Sequence, residues 1–382
     1  MKPRIWLTLV VGGIGACSQD TTEAPAELIE FVPRLAIEEA WSTRVGRGSE
    51  RLRLGLKPAT DGTRIFAGVR DGTAAAFGIS DGVPLWTAAT GARLASGPGV
   101  GDGLVVFGTS DGTLLALDAE TGEQRWHEPV GSEVLATPVV AGDAVVFRSV
   151  DGRLNAVSAA DGAELWSIIQ TLPTLTLRGN SSPIVIGDSV IAGFDNGRVG
   201  SYDMEFGQQN WEAQLATPAG RSEIDRLVDV GVDLEVFGND VYAATFQGRA
   251  AALDLGSGEA LWERDFSSFT GIGVDIENVY VTSDVSAVVA LNRVTGNEVW
   301  RQTDLRLRDL TAASRYRNTV VVADFEGYVH FLSAIDGSFM ARHRVAQAQI
   351  TAQPLALGPL LFIQSEDGTL AALQVAVDES SG

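Results

Sequence analysis

Residues 111–126 read DGTLLALDAETGEQRW, and this stretch decides the fold. Asp111-Gly112 is a dipeptide typical of tight turns, and the residues from Thr113 to Ala119 have the apolar character of a short strand. Thr121-Gly122 marks a second turn, and Trp126 follows that turn's glycine by four residues inside a further strand. The stretch therefore predicts a strand–turn–strand unit whose outer strand carries a large aromatic side chain.

The unit returns along the chain about every 40 residues. Its first glycine has counterparts at Gly72, Gly112, Gly152, Gly197, Gly248, Ser286, Gly327 and Gly368. The steps between them are 40, 40, 45, 51, 38, 41 and 41 residues. Its tryptophan recurs at Trp86, Trp126, Trp166, Trp211, Trp262 and Trp300, with Ala341 in the seventh place. A repeat of this length, built from four short strands, is typical of a β-propeller blade.

The two ends of the series complement each other. The last unit, at Asp367-Gly368, has no tryptophan strand after it, whereas Trp41 has no glycine strand before it. Pairing the Trp41 strand with the last unit closes a ring and leaves no open sheet edge at the joint. We therefore predict an all-β, eight-bladed β-propeller over residues 35–377, with four-stranded antiparallel blades and a polar tail at 378–382.

The tryptophans have a structural interpretation. One indole per blade, always at the same distance from a turn glycine, fits a side chain that docks each blade on its neighbour. A ligand-stacking role explains this regularity less well. Ala341 fills its place with a smaller side chain, so the sequence predicts that the joint after this blade is the loosest.

Composition and charge limit the possible partners. The chain has 382 residues, of which 28 are basic and 49 acidic, for a formal net charge of −21. Such an excess of negative charge repels phosphate backbones and anionic lipid, which argues against nucleic acid as a partner. The apolar fraction of 45% is sufficient for a packed core.

The N-terminus has the pattern of a secretory signal. Residues 1–16 have a basic start and a short apolar run that ends in small residues. Ile14-Gly15-Ala16-Cys17 matches a bacterial lipobox, which predicts cleavage before Cys17 and lipid on the new N-terminal cysteine. An ordinary signal with an incidental cysteine is the alternative. Ser18 favours the outer membrane, because an aspartate at this position tends to retain Gram-negative lipoproteins at the inner membrane. Residues 17–34 are then a lipidated N-terminus and tether.

Two links between blades are longer than the rest. The distance from the blade tryptophan to the next Gly-Asp type turn is 16 residues for Trp126. It is 21 residues for Trp166 and 27 residues for Trp211. Both insertions lie between an outer strand and the inner strand of the next blade, in consecutive blades. They should therefore be neighbours on one face of the ring, and function is expected where a chain departs from its own template.

The insertions combine apolar and charged residues. The first, residues 171–182, contains Leu175, Leu177 and Arg178. The second, residues 216–233, contains a charged set consisting of Arg221, Glu223, Asp225, Arg226 and Asp229. Exposed apolar groups ringed by charges are typical of a protein-binding surface. In the alternative interpretation, the leucines pack back on the ring and the charges are only solvated.

No motif for catalysis or for a cofactor emerges. The histidines His127, His330 and His343 share no motif, and no metalloprotease, phosphate-loop or calcium-loop pattern occurs. The aspartates and glutamates mostly occupy turns, where they order the backbone. The sequence therefore predicts that the protein is not an enzyme and binds no cofactor or metal.

Two resemblances follow from these motifs. The repeats LLALDAETGEQRW and AAALDLGSGEALW resemble those of pyrroloquinoline-quinone dehydrogenases, which are longer and carry a cofactor pocket with metal ligands. The lipobox, the eight repeats, PTLTLRG at residues 173–179, DNGRV at 195–199 and SEIDRL at 222–227 resemble the BamB family of outer-membrane β-barrel assembly lipoproteins more closely.

The second resemblance implies a non-enzymatic scaffold of the BAM complex, lipid-anchored at the periplasmic face of the outer membrane. It implies binding to the POTRA repeats of BamA, with contacts at Leu175, Leu177, Arg178 and Asp229, and possible binding of unfolded outer-membrane protein clients. Gly231 stands where the family often has a further acid, although Asp233 lies close. Two alternatives stay open, a quinone-dependent dehydrogenase and a glycan-binding periplasmic propeller.

Overall fold

The fold is a closed ring of eight β-sheets. The computed structural model describes residues 23–50, 52–176, 181–217 and 228–376. In these ranges the chain forms 32 strands, arranged as eight four-stranded antiparallel sheets. Nowhere in the same ranges is there a helix with the length and apolarity that a membrane crossing requires. The predicted all-β architecture with four-stranded blades is confirmed.

The strands are given blade by blade, from the centre of the ring outward. Blades one and two consist of β2 (Ala59–Thr60), β3 (Arg64–Gly68), β4 (Thr73–Gly78), β5 (Pro84–Ala89), then β6 (Gly99–Gly101), β7 (Leu104–Gly108), β8 (Thr113–Asp118), β9 (Gln124–Pro129). Blades three and four consist of β10 (Val139–Ala141), β11 (Ala144–Arg148), β12 (Arg153–Ser158), β13 (Glu164–Ile169), then β14 (Ile184–Ile186), β15 (Ser189–Gly193), β16 (Arg198–Asp203), β17 (Gln209–Gln214). Blades five and six consist of β18 (Glu235–Phe237), β19 (Asp240–Ala244), β20 (Gly248–Asp254), β21 (Ala260–Phe266), then β22 (Ile272–Val274), β23 (Asn278–Thr282), β24 (Val288–Asn292), β25 (Glu298–Gln302). Blades seven and eight consist of β26 (Ser314–Tyr316), β27 (Thr319–Ala323), β28 (Tyr328–Ser333), β29 (Phe339–Arg344), then β30 (Leu355–Leu357), β31 (Leu360–Gln364), β32 (Thr369–Val375) and β1 (Ile37–Arg44).

Burial follows the position of each strand in its blade. The third strands bury four consecutive residues, as in β8, whereas the outer strand β9 buries only Trp126. A strand that is buried on both faces needs apolar residues without alternation, because neighbouring blades cover both sides of its sheet. The near-continuous apolar runs of the repeat therefore become the core between blades.

Each tryptophan is aimed at the next blade by a β-bulge. In blade one, Ala76 pairs with Trp86 and Phe77 pairs with Pro84, so that Leu85 is the extra residue. The seven tryptophans in the described residues each donate an indole N–H hydrogen bond of 2.8–3.0 Å to a backbone carbonyl of the following blade. A bulge that re-aims a side chain is a recurring device in sheets. The predicted docking role of the tryptophans is confirmed.

The ring closes where the N-terminal strand joins the last blade. β1 pairs antiparallel with β32, and the sheet order in blade eight is β1-β32-β31-β30. Trp41 of β1 donates its indole N–H to the carbonyl of Ile79 in blade one, at 2.9 Å. Gly82 lies against this indole, where a β-carbon would approach the ring to 2.4 Å. The prediction that the Trp41 strand pairs with the last unit and closes the ring is confirmed.

The position of the missing seventh tryptophan is filled from the N-terminal segment. Ala341 is buried in the cluster between blades seven and eight, and Leu35 and Ile37 pack against the same cluster. Ala341 is smaller than the tryptophan of the other blades, and Leu35 and Ile37 add apolar side chains at this joint. The physical reason for expecting the loosest joint here is thereby removed.

One position in the repeat count needs correction. In blade five the turn residue with left-handed φ is Gln247, at 50°, and Gly248 begins β20. A β-carbon on Gly248 would lie 2.1 Å from Oγ1 of Thr245. Gly248 is therefore needed for close packing, while Gln247 takes the turn position that glycine holds in most other blades. The sequence count is wrong by one residue here.

Candidate functional site

Both insertions emerge on one face of the ring, which we call the insertion face. In each antiparallel blade the link from the outer strand to the next inner strand leaves on the same face as the turn between the second and third strands. The first insertion joins β13 to β14 and the second joins β17 to β18. The backbone N–H of Ser182, in the first, donates to Oδ1 of Asp233, in the second, at 2.7 Å. The predicted adjacency on one face therefore holds.

The first insertion presents an apolar side chain to solvent. Leu175 is 44% exposed. Leu172 packs on the turn below, because a β-carbon on Gly152 would come within 2.9 Å of its side chain. The carbonyl of Thr171 accepts a hydrogen bond from Nδ2 of Asn196 in blade four. The start of the insertion is thus fixed to the ring, while Leu175 points away from it. The predicted contact residues Leu177 and Arg178 lie outside the described residues.

The second insertion returns to the ring through a buried segment. The candidate residues Arg221, Glu223, Asp225 and Arg226 lie outside the described residues. Of the charged set, the structure describes Asp229, which is only 1% exposed, in a segment whose valines are also buried. The carbonyl of Asp229 accepts a hydrogen bond from the N–H of Phe246. Asp229 therefore lies in the wall of the central channel and not on the outer surface of the loop.

The insertion face opens into a central cavity of about 520 Å³. Its wall combines apolar and polar groups, among them Asp229, Asp233, Lys57 and the rings of Phe246 and Phe269. The two phenylalanine rings meet edge to face with their centroids 6.4 Å apart, and Phe269 is 42% exposed. The insertions thus frame the mouth of a concave surface with an aromatic wall.

A half-buried ion pair crosses this cavity. Nζ of Lys57 lies 2.5 Å from Oδ2 of Asp233, although the two residues are 176 positions apart. Burial acts to lower the pKa of Lys57, but the Asp233 carboxylate outweighs burial and raises it. Burial acts to raise the pKa of Asp233, but Lys57 and Ser182 lower it below its usual value. Both groups are therefore charged at neutral pH, and Asp233 joins both insertions to the segment that carries Lys57.

The segment that carries Lys57 is also longer than the regular link between blades, and this length is visible in the sequence. From Trp41 to the turn glycine of blade one, Gly62, is 21 residues, five more than the 16 from Trp126 to Gly142. The extra residues carry Arg53 and Lys57 across the insertion face to Asp309 and Asp233. A third long link thus contributes to the same surface.

Replacing Glu235 with glutamine is expected to stabilise the protein at pH 8. Burial raises the pKa of Glu235 to about 7, against the attraction of Lys57, and repulsion by Asp233 adds to the rise. A raised carboxyl pKa means that the folded state holds the proton more tightly than the unfolded chain. The carboxylate therefore costs stability at pH 8, and the cost fades as pH falls from 7 towards 4.5.

We expect E235Q to raise the free energy of unfolding by on the order of 2 kcal/mol at pH 8 and to leave it unchanged near pH 4.5. Urea unfolding at both pH values measures this difference. Glu259→Gln, on an exposed turn of the same blade, is the matched control and should show no such dependence on pH. An equal gain for E235Q at both pH values would contradict the assignment.

A second ion pair, this one buried, lies beneath the first insertion. Nη2 of Arg148 in blade three contacts Oδ1 of Asp195 in blade four at 2.9 Å, and both side chains are only 4% exposed. The guanidinium also stacks on Phe194 at 5.2 Å. Asn196, which holds the carbonyl of Thr171, follows Asp195 directly. The pair therefore fixes the turn on which the first insertion begins.

No group of three or more histidine, cysteine, aspartate or glutamate side chains placed to hold a metal ion occurs in the part of the chain that the structure describes. His330 is fully buried and shares its Nε2 hydrogen with Asp324 Oδ2 at 3.0 Å. His343 is half-buried, and His127 is exposed on β9. The three histidines lie in different surroundings, as their scatter in the sequence suggested.

The geometry defines a class of protein, an eight-bladed propeller that presents adjacent, enlarged connectors around one mouth of its channel. The family model described as "Outer membrane protein assembly factor BamB" matches residues 70–302 and 285–379. A relative of that name from Pseudomonas aeruginosa is 46% identical over 370 residues, covering 97% of both chains. The one from Escherichia coli K12 is 34% identical, covering 94% of this chain and 95% of its own. The chain belongs to the BamB family.

Solved structures agree with this assignment. The crystal structure of BamB from Moraxella catarrhalis superposes with a TM-score of 0.82 at 27% identity, covering 89% of this chain and all of that one. Quinohemoprotein alcohol dehydrogenase from Comamonas testosteroni superposes with a TM-score of 0.72 at 12% identity, covering 91% of this chain and 78% of its own. At that identity the dehydrogenase shares the fold alone.

Proposed function

We propose that this protein is a non-enzymatic scaffold of the outer-membrane β-barrel assembly machinery, anchored by lipid on Cys17 at the periplasmic face of the outer membrane. The name of its family, outer membrane protein assembly factor, supports the role in assembly. In this proposal the insertion face binds the POTRA repeats of BamA through Leu175, Leu177 and Arg178, with Arg221, Glu223, Asp225 and Arg226 contributing from the second insertion. Asp229 is buried in the channel wall and is left out of the proposed contact set.

The main support for this proposal is that both insertions meet on one face of the ring. The Ser182–Asp233 hydrogen bond joins their ends, and Lys57 holds the same carboxylate from a third link. Leu175 remains exposed above this fixed base. An apolar side chain held in place before binding costs little entropy when a partner covers it, which favours a stable interface. Hot spots of binding surfaces are typically few and central.

The test is co-purification from solubilised outer membranes. We expect the triple variant L175A/L177A/R178E to lose BamA while keeping the unfolding midpoint of the wild type, because the changes remove apolar contacts and reverse one charge. Leu165 and Ile169 on the outer strand of the same blade are also exposed, at 52% and 64%. The double variant L165A/I169A is therefore the matched control and should retain BamA. Retention of BamA by the triple variant would contradict the proposal.

A glycan-binding function is the second candidate, and the aromatic wall of the cavity is the observation that favours it. Phe246 and Phe269 face polar groups at the mouth of the channel, which is the combination that sugar-binding sites use. Titration calorimetry with soluble peptidoglycan fragments would detect such binding, and F269A should abolish it. The dehydrogenase alternative requires a bound quinone, which an absorption spectrum of the purified protein would reveal.

A further inference from the structure

The described part of the predicted tether lies in a groove between the outer strands of blades six and seven. The N–H of Ala26 donates to the carbonyl of Arg306 at 2.9 Å, and the N–H of Arg34 donates to that of Met340 at 2.8 Å. Between them, Phe31 stacks on Phe339 with ring centroids 5.2 Å apart. We call residues 23–34 the clasp segment.

The direction of the clasp segment follows from its partners. Arg306 belongs to the link between β25 and β26, which leaves the ring on the insertion face. Met340 lies at the start of β29, close to the opposite face. The segment therefore enters on the insertion face beside blade seven, crosses the side of the ring and turns back as β1. An ion pair between Glu23 and Arg306 holds its first described residue at the insertion face.

Two arginine side chains, Arg308 buried and Arg342 half-buried, bind the backbone of this segment. Nη1 of Arg308 donates to the carbonyl of Ala26 at 3.0 Å, and Nη1 of Arg342 donates to the carbonyl of Ile29 at 3.1 Å. A network beneath them fixes both guanidinium groups. Arg308 Nε donates to Asp324 at 2.8 Å, and Arg342 Nε donates to Nδ1 of His330 at 3.2 Å.

The network also fixes the protonation of the histidine. An arginine can only donate, so Nδ1 of His330 accepts and its Nε2 carries the hydrogen that Asp324 accepts. Asp324 and His330 are fully buried. Buried polar groups that satisfy one another in this way hold a single geometry. The clasp segment is thus bound to a built site rather than lying loosely on the surface.

We infer that the clasp segment turns the insertion face at blades six and seven towards the lipid surface. This inference rests on the proposed lipid anchor of Cys17. Only five residues lie between Cys17 and Glu23, and the six residue steps limit their distance to about 20 Å whatever the conformation of the chain. The opposite face lies a further strand length away, about 16–20 Å for five or six residues. The bilayer and the partner of the insertions therefore approach the same face, the bilayer beside blades six and seven and the partner beside blades three to five.

The experiment uses the full lipidated chain in vesicles of neutral phosphatidylcholine that contain a headgroup nitroxide lipid. Because Cys17 is the only cysteine in the sequence, an introduced cysteine is the single free thiol for a fluorescent label. D304C places the label on the insertion face beside Arg306, and I335C places it on the opposite face of blade seven. We expect nitroxide quenching at least about twofold stronger at residue 304, since it lies nearer the anchor.

A pair of variants tests whether the clasp segment causes this orientation. F31A removes the stacked ring, whereas V32A truncates the neighbouring side chain, which is 85% exposed, and is the matched control. In F31A we expect hydrogen exchange at the amides of Ala26 and Arg34 to speed up at least about tenfold, because their hydrogen bonds open locally. The difference in quenching between residues 304 and 335 should shrink in F31A and persist in V32A.

Equal quenching at both positions, or stronger quenching at residue 335, would overturn the inference. An unchanged difference in F31A despite faster exchange would overturn it as well, since the orientation would not depend on the clasp segment. Co-purification with BamA reads out the proposed function separately. A protein that retains BamA through its insertions but shows equal quenching contradicts the orientation alone.

Discussion

Replacement of Trp41 by alanine is expected to lower the free energy of unfolding by about 3–5 kcal/mol, the usual cost of removing a large buried aromatic side chain. Trp41 is only 8% exposed, and its ring lies 5.8 Å from that of Phe362. The variant also leaves the half-buried carbonyl of Ile79 without its indole donor. Since this side chain joins blade eight to blade one, its loss weakens the joint that closes the ring.

Urea unfolding of W41A measures this effect. Glu39→Ala on the same strand is the matched control, because Glu39 is exposed and should change stability by no more than about 0.5 kcal/mol. Similar values for W41A and E39A would show that the closing strand contributes little, and the closed ring would then not be the stable unit of this fold.

Replacement of Arg148 by alanine is expected to have an effect of similar size, about 3–5 kcal/mol, for an electrostatic reason. The change leaves the Asp195 carboxylate buried without its guanidinium partner, which lies 2.9 Å away in the native protein. In most other blades a small residue such as Gly108 or Ala244 occupies the position of Arg148. The backbone there tolerates a small side chain, so the cost comes from the unpaired charge.

A double variant separates charge from packing. Arg148→Met with Asp195→Asn removes both charges and should recover most of the lost stability, as replacement of buried ion pairs by neutral side chains often does. Arg153→Ala disrupts a half-exposed ion pair of the same blade with Asp151 and should cost less than about 1 kcal/mol. If R148A cost no more than R153A, the buried pair would not fix the turn beneath the first insertion.

Most of the architecture of the ring could be predicted from the sequence, because the same contacts recur in every blade. Each turn and each tryptophan recurs at a nearly constant distance, so one blade explains the others. The pairing of β1 with β32 followed as well, since a sheet that ends without an outer strand leaves an exposed edge. The adjacency of the two insertions was also predictable, because it depends only on which link of the blade contains the extra residues.

Other features depend on contacts that no repeat encodes. Lys57 and Asp233 are distant in sequence, and only the closed ring brings them together. Asp229 looked like one charge among several, but the valines around it draw its segment into the wall of the cavity. The tether had no periodicity. Its place in the groove depends on Arg308, in the link that leads into the blade without a tryptophan, and on Arg342, on the outer strand of that blade.

Site-specific photocrosslinking in intact cells shows which face of the ring contacts BamA. A photoreactive amino acid at residue 175 reports on the insertion face, and the same group at residue 206 reports on the opposite face, where Phe206 is 62% exposed. We expect a crosslink to BamA from residue 175 and none from residue 206. A crosslink to BamA from residue 206 with none from residue 175 would contradict the claim that the insertion face binds the assembly machinery.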